Sequence, residues 1–251
     1  MEKALILAAG VGKRLGKLTK DAPKCLLPLN GQTLIDFSLE VLKENDVKEI
    51  IIVSGFAHET LKAHIEEKWT NKLSFKFIFN EKYNEYNNIY SAYLAKDIWD
   101  DKTILLNSDI IFHPNILKNL RTKNNDIQAR SYLVIDDNKK LTDESMKVLI
   151  DKEDRIKKID KKLSINKSFG EYIGITYLKG VERIKFLESL EKNVKNKKLD
   201  LYYEDALGCI LDEVSVYPCS TEGNIWTEID TKEDYELAKT IAREIRKIPT
   251  L

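Results

Sequence analysis

The sequence predicts an α/β protein whose sheet is mixed but mostly parallel, with helices on both faces. Apolar runs of strand length recur at residues 3–8, 50–53, 75–79 and 103–106. Between the first three stand amphipathic stretches of helical spacing, at 33–44 and 58–69. Strand–helix alternation of this kind returns each strand beside its predecessor in the same direction and buries both sheet faces. A chain of 251 residues is long enough to form one domain with a small extension.

The first strand carries no polar residue between Ala4 and Ala9 and stops at Gly10 and Gly12. Glycines let backbone amides approach a ligand that a side chain would obstruct. Lys13 and Arg14 follow at once, and Lys24 comes directly after Pro23. Amides and cations in this arrangement suit a polyphosphate. The string is neither a G-x-x-x-x-G-K-[ST] loop nor a full G-x-G-x-x-G fingerprint, so a tight turn and a phosphate cradle both fit a bare G-x-G.

In the first helical stretch Thr33 is the expected cap, with Leu34, Ile35, Leu39 and Leu42 on the buried side. The second places Leu61, Ile65 and Trp69 on one face, after an exit turn at Ser54-Gly55-Phe56. Residues 80–91 are polar and aromatic and include Asn87, Asn88 and Ser91. A surface loop with an Asn helix cap fits, and so does a base-reading loop, since amides and hydroxyls offer both donors and acceptors. Asp109 follows the fourth strand, where a carboxylate serves either as a turn residue or as a ligand for a divalent cation.

Beyond Ile111 a helix is expected at 114–123, a strand at 130–135 and a hairpin of 147–151 with 155–160. The lysine-heavy stretches 139–147 and 157–167 read as solvated loops and edges. A strand at 171–178 contains Gly174, and the helix after Gly180 should bury Ile184, Leu187 and Leu190. The run 199–207 holds Tyr202, Tyr203, Glu204 and Asp205. It reads either as the start of an amphipathic helix or as a pocket whose aromatic faces and carboxylates suit an ammonium group. A short strand ends at Asp230, with Glu228 on the same face, and Thr231 to Asp234 has the capping-box form before a last helix reaching Lys247.

The string L-A-A-G-x-G-x-R-L, followed by T-x-x-x-P-K-x-L-L-P-L-x-G-x-x-L-I, spans Leu7 to Ile35. It resembles the N-terminal signature of nucleotidyltransferases that join a nucleoside triphosphate to a phosphorylated metabolite. The resemblance implies a Rossmann-like, nucleotide-diphospho-sugar transferase-like fold over residues 1–251, with an acceptor-side sheet extension at about 129–178. It implies that Ala8, Ala9, Gly10, Gly12, Lys13, Gly55, Asn87, Asn88 and Ser91 bind the nucleotide. Lys24 and Arg14 are then catalytic, and Asp109 and Asp230 hold Mg2+, with Glu228 a weaker candidate. The Y-N-N-x-Y-S segment is similar to the phosphocholine cytidylyltransferase branch, which points to CTP. Tyr202, Tyr203, Glu204 and Asp205 then face a phosphorylated amine or amino-acid-like acceptor such as phosphocholine, aminoethylphosphonate or glutamine phosphate. Gly174 would leave that acceptor room. Products of such relatives feed bacterial surface glycans or lipids. The chain departs from the pattern at Ser108, where the family more often has Gly, and has Tyr where the phosphocholine enzyme has Trp. A sugar-1-phosphate nucleotidylyltransferase using UTP, TTP or GTP, and an inactive nucleotide-sensing domain, are the alternatives.

Composition narrows the classes. Lys plus Arg equals Asp plus Glu at 41 each, which speaks against a nucleic-acid protein held by bulk charge. No apolar run reaches membrane-spanning length and no signal-peptide core opens the chain, so a cytosolic protein without membrane insertion is expected. Cys25, Cys209 and Cys219 suggest neither a disulfide framework nor a zinc site. The histidines, His58, His64 and His113, are expected to take no part in chemistry.

Overall fold

The computed structural model describes residues 1–124 and 130–247; residue 129, where the expected extension begins, lies outside them. In chain order come β1 (Lys3–Ala8), β2 (Pro28–Leu29), β3 (Gln32–Thr33), α1 (Leu34–Glu44), β4 (Glu49–Ser54), α2 (His58–Trp69) and β5 (Ser74–Phe79). There follow α3 (Asn88–Leu94), β6 (Thr103–Asn107), β7 (Ile110–Phe112), α4 (Pro114–Asn124), β8 (Ser131–Asp136), β9 (Lys147–Ile150) and β10 (Ile156–Asp160). The chain continues through β11 (Gly170–Tyr177), α5 (Gly180–Lys195), α6 (Tyr203–Gly208), β12 (Val216–Ser220), β13 (Trp226–Glu228) and α7 (Lys232–Lys247).

The parallel part of the sheet is the expected one: β1 lies between β4 and β6, and β5 pairs with β4. Along β1 the side chains alternate. Ala4, Ile6 and Ala8 enter the core shared with α1, α2, α4 and α7, while Leu5 and Leu7 enter the core shared with α3, α5 and α6. Both faces are therefore sealed, as the continuous apolar runs require.

Past β6 the sheet becomes mixed. β11 is antiparallel to β6, β8 and β9, while β12 is parallel to β8. From the registers, β8 runs along one edge of β11, and β9 and β6 follow one another along the other, opposite Gly170–Glu171 and Ile175–Tyr177 respectively. The register shift falls between Tyr172 and Thr176. Gly174 sits there with φ +85°, and an added Cβ would stand 2.7 Å from Asn107 Nδ2. Glycine is needed there for the approach of Asn107.

Two local expectations need correction. In α5, Ile184 is exposed while Phe186 and Leu190 are buried. The helix is phased by Phe186, whose ring meets Trp99 edge-on at 5.4 Å, and by Ser189, which donates to Ala206 O. The stretch 139–147 is not wholly solvated either, because Lys147 is only 1% exposed.

Far from that region, α1 is tied to α2 through one carboxylate. Thr33 and Asp36 form a reciprocal capping box, and Asp36 also accepts from Trp69 Nε1 at 2.7 Å and Lys68 Nζ at 3.2 Å. His64 Nε2 lies 2.8 Å from the same side chain. Burial alone would raise the pKa of Asp36, but the bonds from His64, Trp69 and Thr33 outweigh it and hold the carboxyl well below the usual range. Asp36→Asn is expected to cost about 2 kcal/mol in urea unfolding at pH 7. A folded pKa below the unfolded one means this contribution is complete above the ordinary carboxylate range, at roughly pH 5 and higher, and fades below about pH 4. The gap between variant and wild type should shrink accordingly in acid.

Candidate active site

Lys24 begins a single 3-10 turn after Pro23, whose extended backbone directs the chain back under the first loop. Gly12 has φ +67°, and a Cβ there would come within 3.3 Å of Lys24 Cβ and 3.2 Å of Thr19 Cγ2. Thr19 Oγ1 donates to Gly12 O at 2.9 Å, closing the loop on itself. The lysine thus passes where only a glycine leaves room. Its Nζ donates to Asp109 Oδ2 at 2.9 Å and to Asp230 Oδ1 at 2.8 Å.

The two aspartates are brought together by short strands. β13 pairs antiparallel with β7, and Ile229 N donates to Asp109 O at 2.9 Å. Asp234 accepts from Asp230 N and Thr231 N, while Thr231 Oγ1 accepts from Asp234 N, so the capping box also fixes the backbone of Asp230. Arg14 reaches Asp230 Oδ2 at 2.8 Å from the mouth of the cleft. Burial would lower the pKa of Lys24, but Asp109 and Asp230 outweigh it and raise it. Burial would raise Asp230, and Lys24 outweighs that in turn, lowering it. The ammonium stays charged and cannot serve readily as an acid.

Asp109, Glu228 and Asp230 each offer a carboxylate oxygen within 4.8 Å of the others. Asp109 Oδ1 is buried with no hydrogen-bond partner among the described residues. A buried orphan acceptor in an all-oxygen set fits a hard divalent cation. Glu228 is exposed as a residue, but its carboxyl lies in the cleft, where burial and then the charges of Asp109 and Asp230 push its pKa up. The structure therefore brings Glu228 level with the two aspartates.

The cleft, about 290 Å³, opens at the carboxyl ends of β1 and β6. Ala8, Ala9, Gly10 and Gly12 line its floor. On the β4–β5 side stand Asn87, Asn88 and Ser91. Asn87 caps α3, accepting from Asn88 N and donating to Asp200 O. Asn88 Oδ1 accepts from Tyr203 N at 2.9 Å, and Ser91 Oγ accepts from buried Asn80 at 3.0 Å. Capping and cleft-lining thus belong to the same residues. Gly55 does not line this cleft. A Cβ on it would meet Tyr83 Cβ at 2.4 Å and Ala9 O at 2.7 Å, so it admits Tyr83, which does line it. Lys13 lies outside, along a shallower adjoining groove shared with Arg14.

Of the four residues expected around an acceptor, Tyr202 and Glu204 line the cleft; Tyr203 and Asp205 do not. Tyr203 is fully buried, its hydroxyl bonded to Tyr172 and to Asn107 Oδ1. Asp205 closes the first turn of α6 by accepting from Tyr202 N at 2.7 Å. Glu204 is buried with Oε2 unpartnered among the described residues, and burial pushes its pKa up to about 7. The far wall comes from the extension: Glu144, Met146, Lys161, Glu171 and Tyr172. Sequence reasoning missed these, since Glu144 and Lys161 stand in charged stretches without periodicity. No histidine lines the cleft. His58 bonds Ser54, His64 lies against Asp36, and His113 accepts from Asn115 N. Cys25 and Cys219 are buried and Cys209 is exposed, and all three are free thiols. No helix among the described residues is long and apolar enough to cross a membrane.

Cationic side chains and glycine amides at one end, with clustered carboxylates beside them, can hold a polyphosphate and neutralise charge that builds up as it reacts. The comparisons agree with that chemistry. Choline-phosphate cytidylyltransferase of Streptococcus pneumoniae is 29% identical over 249 residues, covering 96% of this chain and 98% of its own. CTP:phosphoglutamine cytidylyltransferase of Campylobacter jejuni is 29% identical over 259 residues, covering 93% and 98%. Among solved structures, CTP:phosphocholine cytidylyltransferase from S. pneumoniae matches with TM-score 0.73 and 26% identity over 95% of this chain and 98% of that one. The inositol-1-phosphate CTP transferase of T. maritima matches with TM-score 0.82 at 22% identity over 100% and 98%, a likeness of fold. The nucleotidyl transferase profile spans residues 3–239, and the chain accordingly belongs to the nucleotidyl transferase family and is a nucleotidyltransferase.

Proposed function

We propose that the protein is a cytidylyltransferase that joins CTP to a small phosphate or phosphonate carrying an ammonium group, for decoration of surface polysaccharide or lipid. The observation that carries this reading is the Lys24 ammonium held between Asp109 and Asp230 at the strand ends, in a cleft also lined by Asn87, Asn88 and Glu204. Attack of the acceptor oxygen on the α-phosphorus forms the new P–O bond. The α–β phosphoanhydride breaks, and pyrophosphate leaves with the electron pair. A phosphate nucleophile is already largely ionised at neutral pH, its second pKa being about 6, so no general base is needed. What remains is alignment and electrostatic stabilisation. Gly10, Gly12 and Arg14 take the terminal phosphates, with Lys13 at the mouth of the groove. Lys24, fully protonated, stabilises charge at the α-phosphate. Asn87, Asn88 and Ser91 offer the donors and acceptors a pyrimidine edge requires. Asp109 and Asp230, with Glu228 beside them, would hold Mg2+, which neutralises phosphate charge when bound.

At the acceptor end Glu144 pairs with Lys161 at 3.8 Å and Glu171 with Lys139 at 3.3 Å, which leaves Glu204, beside the Tyr202 ring, as the carboxylate without a cation and the group that favours a cationic acceptor. Lys161 is the specific observation for a second reading, an amino-acid-like acceptor whose carboxylate it would meet. Pyrophosphate release with CTP, UTP, TTP and GTP against aminoalkyl phosphates, phosphonates, phosphorylated amino acids and sugar 1-phosphates tests both. A preference for UTP with a sugar phosphate would replace the cytidylyl reading, and silence with every pair would leave a nucleotide sensor.

Lys24→Ala is expected to lower kcat by roughly 100-fold or more with KM for CTP changed much less. Asp109→Asn should abolish turnover at every Mg2+ concentration, as followed by pyrophosphate release across a metal titration. Glu204 ionises near neutrality, so KM for an ammonium-bearing acceptor should fall as pH rises through about 7, and Glu204→Gln should flatten that profile.

A further inference from the structure

Lys147 is the least explained charge in the molecule. It opens β9, paired through its backbone with Asp160 on one side and Glu171 on the other, and its side chain is almost wholly enclosed. Among the described residues no carboxylate pairs with it. Its Nζ donates instead to three backbone carbonyls, Thr142 O, Asp143 O and Ser145 O, each at 3.0 Å. A lysine ammonium has three N–H donors and no acceptor, so this cage satisfies it completely. A buried charge is costly where filling space is the sole requirement, because an apolar side chain would do that better. The three carbonyls turn inward because the ammonium is there. Removing it would leave buried Ser145 O without that donor, take one from Asp143 O, and leave Thr142 O with Ser145 N alone, so the turn would loosen.

The opposite side of that turn faces the cleft. Glu144 and Met146 line it, next to Glu171 and Tyr172. Tyr172 N donates to Met146 O at 2.7 Å, and Ser145 closes the turn by donating its N–H to Thr142 O and accepting from Thr142 N at its hydroxyl. Lys147 itself does not reach the cleft. We propose that Lys147 is a positioning residue for the acceptor. Its carbonyl cage holds the 142–146 turn so that Glu144 and Met146 form the acceptor-side wall.

This inference rests on the cytidylyltransferase reading for the identity of the acceptor, but its test has an arm that does not. Lys147→Met keeps a chain one atom shorter and removes the donors; Lys147→Ala leaves a slot for n-propylammonium, whose three carbons and nitrogen match the missing atoms. Both variants should raise KM for the acceptor about tenfold, with KM for CTP within about twofold of wild type. Hydrogen exchange in the 139–147 segment should quicken while the 3–16 segment is unchanged. Added n-propylammonium, and not n-propanol, should restore acceptor KM and slow exchange in Lys147→Ala, with wild type in the same salt as the control. Wild-type acceptor KM and exchange in Lys147→Met would overturn the proposal. So would parallel loss of melting temperature, CTP binding and acceptor binding, which would mark a general structural role. If wild type turns over no acceptor at all, the functional reading fails, and the exchange and rescue arm still decides what Lys147 does.

Discussion

One ammonium between two carboxylates organises this molecule. Lys24 meets Asp109 and Asp230 across separations of 85 and 206 residues, so three remote segments are referred to a single point. The loop after β1 must bend tightly to let the lysine through, β7 and β13 must pair to set the aspartates side by side, and α7 must begin where it does to fix Asp230. Each requirement has a local cause: Gly12 in the left-handed region, the Ile229–Asp109 bond, and the Thr231–Asp234 box. The same contacts raise the pKa of Lys24 and lower that of Asp230, so position and charge state have one origin.

The glycine-and-cation loop of this arrangement was legible in the sequence because it lies in contiguous residues. An apolar run ending in G-x-G and cations states both a strand end and a ligand type. Asp109 and Asp230 were legible as strand-end carboxylates, and it is the resemblance to the family that picks them out as ligands. Their convergence was not legible, since it depends on two three-residue strands that no periodicity announces. Tyr203 shows another limit. Whether a residue of a short helix faces the core or the cleft turns on which position is the cap, and a shift of one residue exchanges Tyr202 with Tyr203. The charged stretches were least legible. Lysines at 139–147 look alike in composition, yet one ends in a carbonyl cage and another, Lys139, lies over Trp226. Only the path of the turn separates them.

The residues expected to read a base are also structural ones. Asn87 and Asn88 spend part of their hydrogen-bonding capacity on the cap of α3 and on the 199–203 segment, which joins their side of the cleft to Tyr202 and Glu204. A change in either amide would therefore be felt on both sides.

The forked edge of β11 has a consequence for how such a protein can diversify. The β9–β10 hairpin hangs on Gly170 and Glu171, while β6 grips the other half of the same strand, with the kink at Gly174 in between. Insertions or exchanges in the hairpin need not propagate into the parallel strands that carry the loop of Gly10 and Gly12. One end of the cleft can be reshaped while the other keeps its form, a modularity arising from a single strand that serves two neighbours in turn.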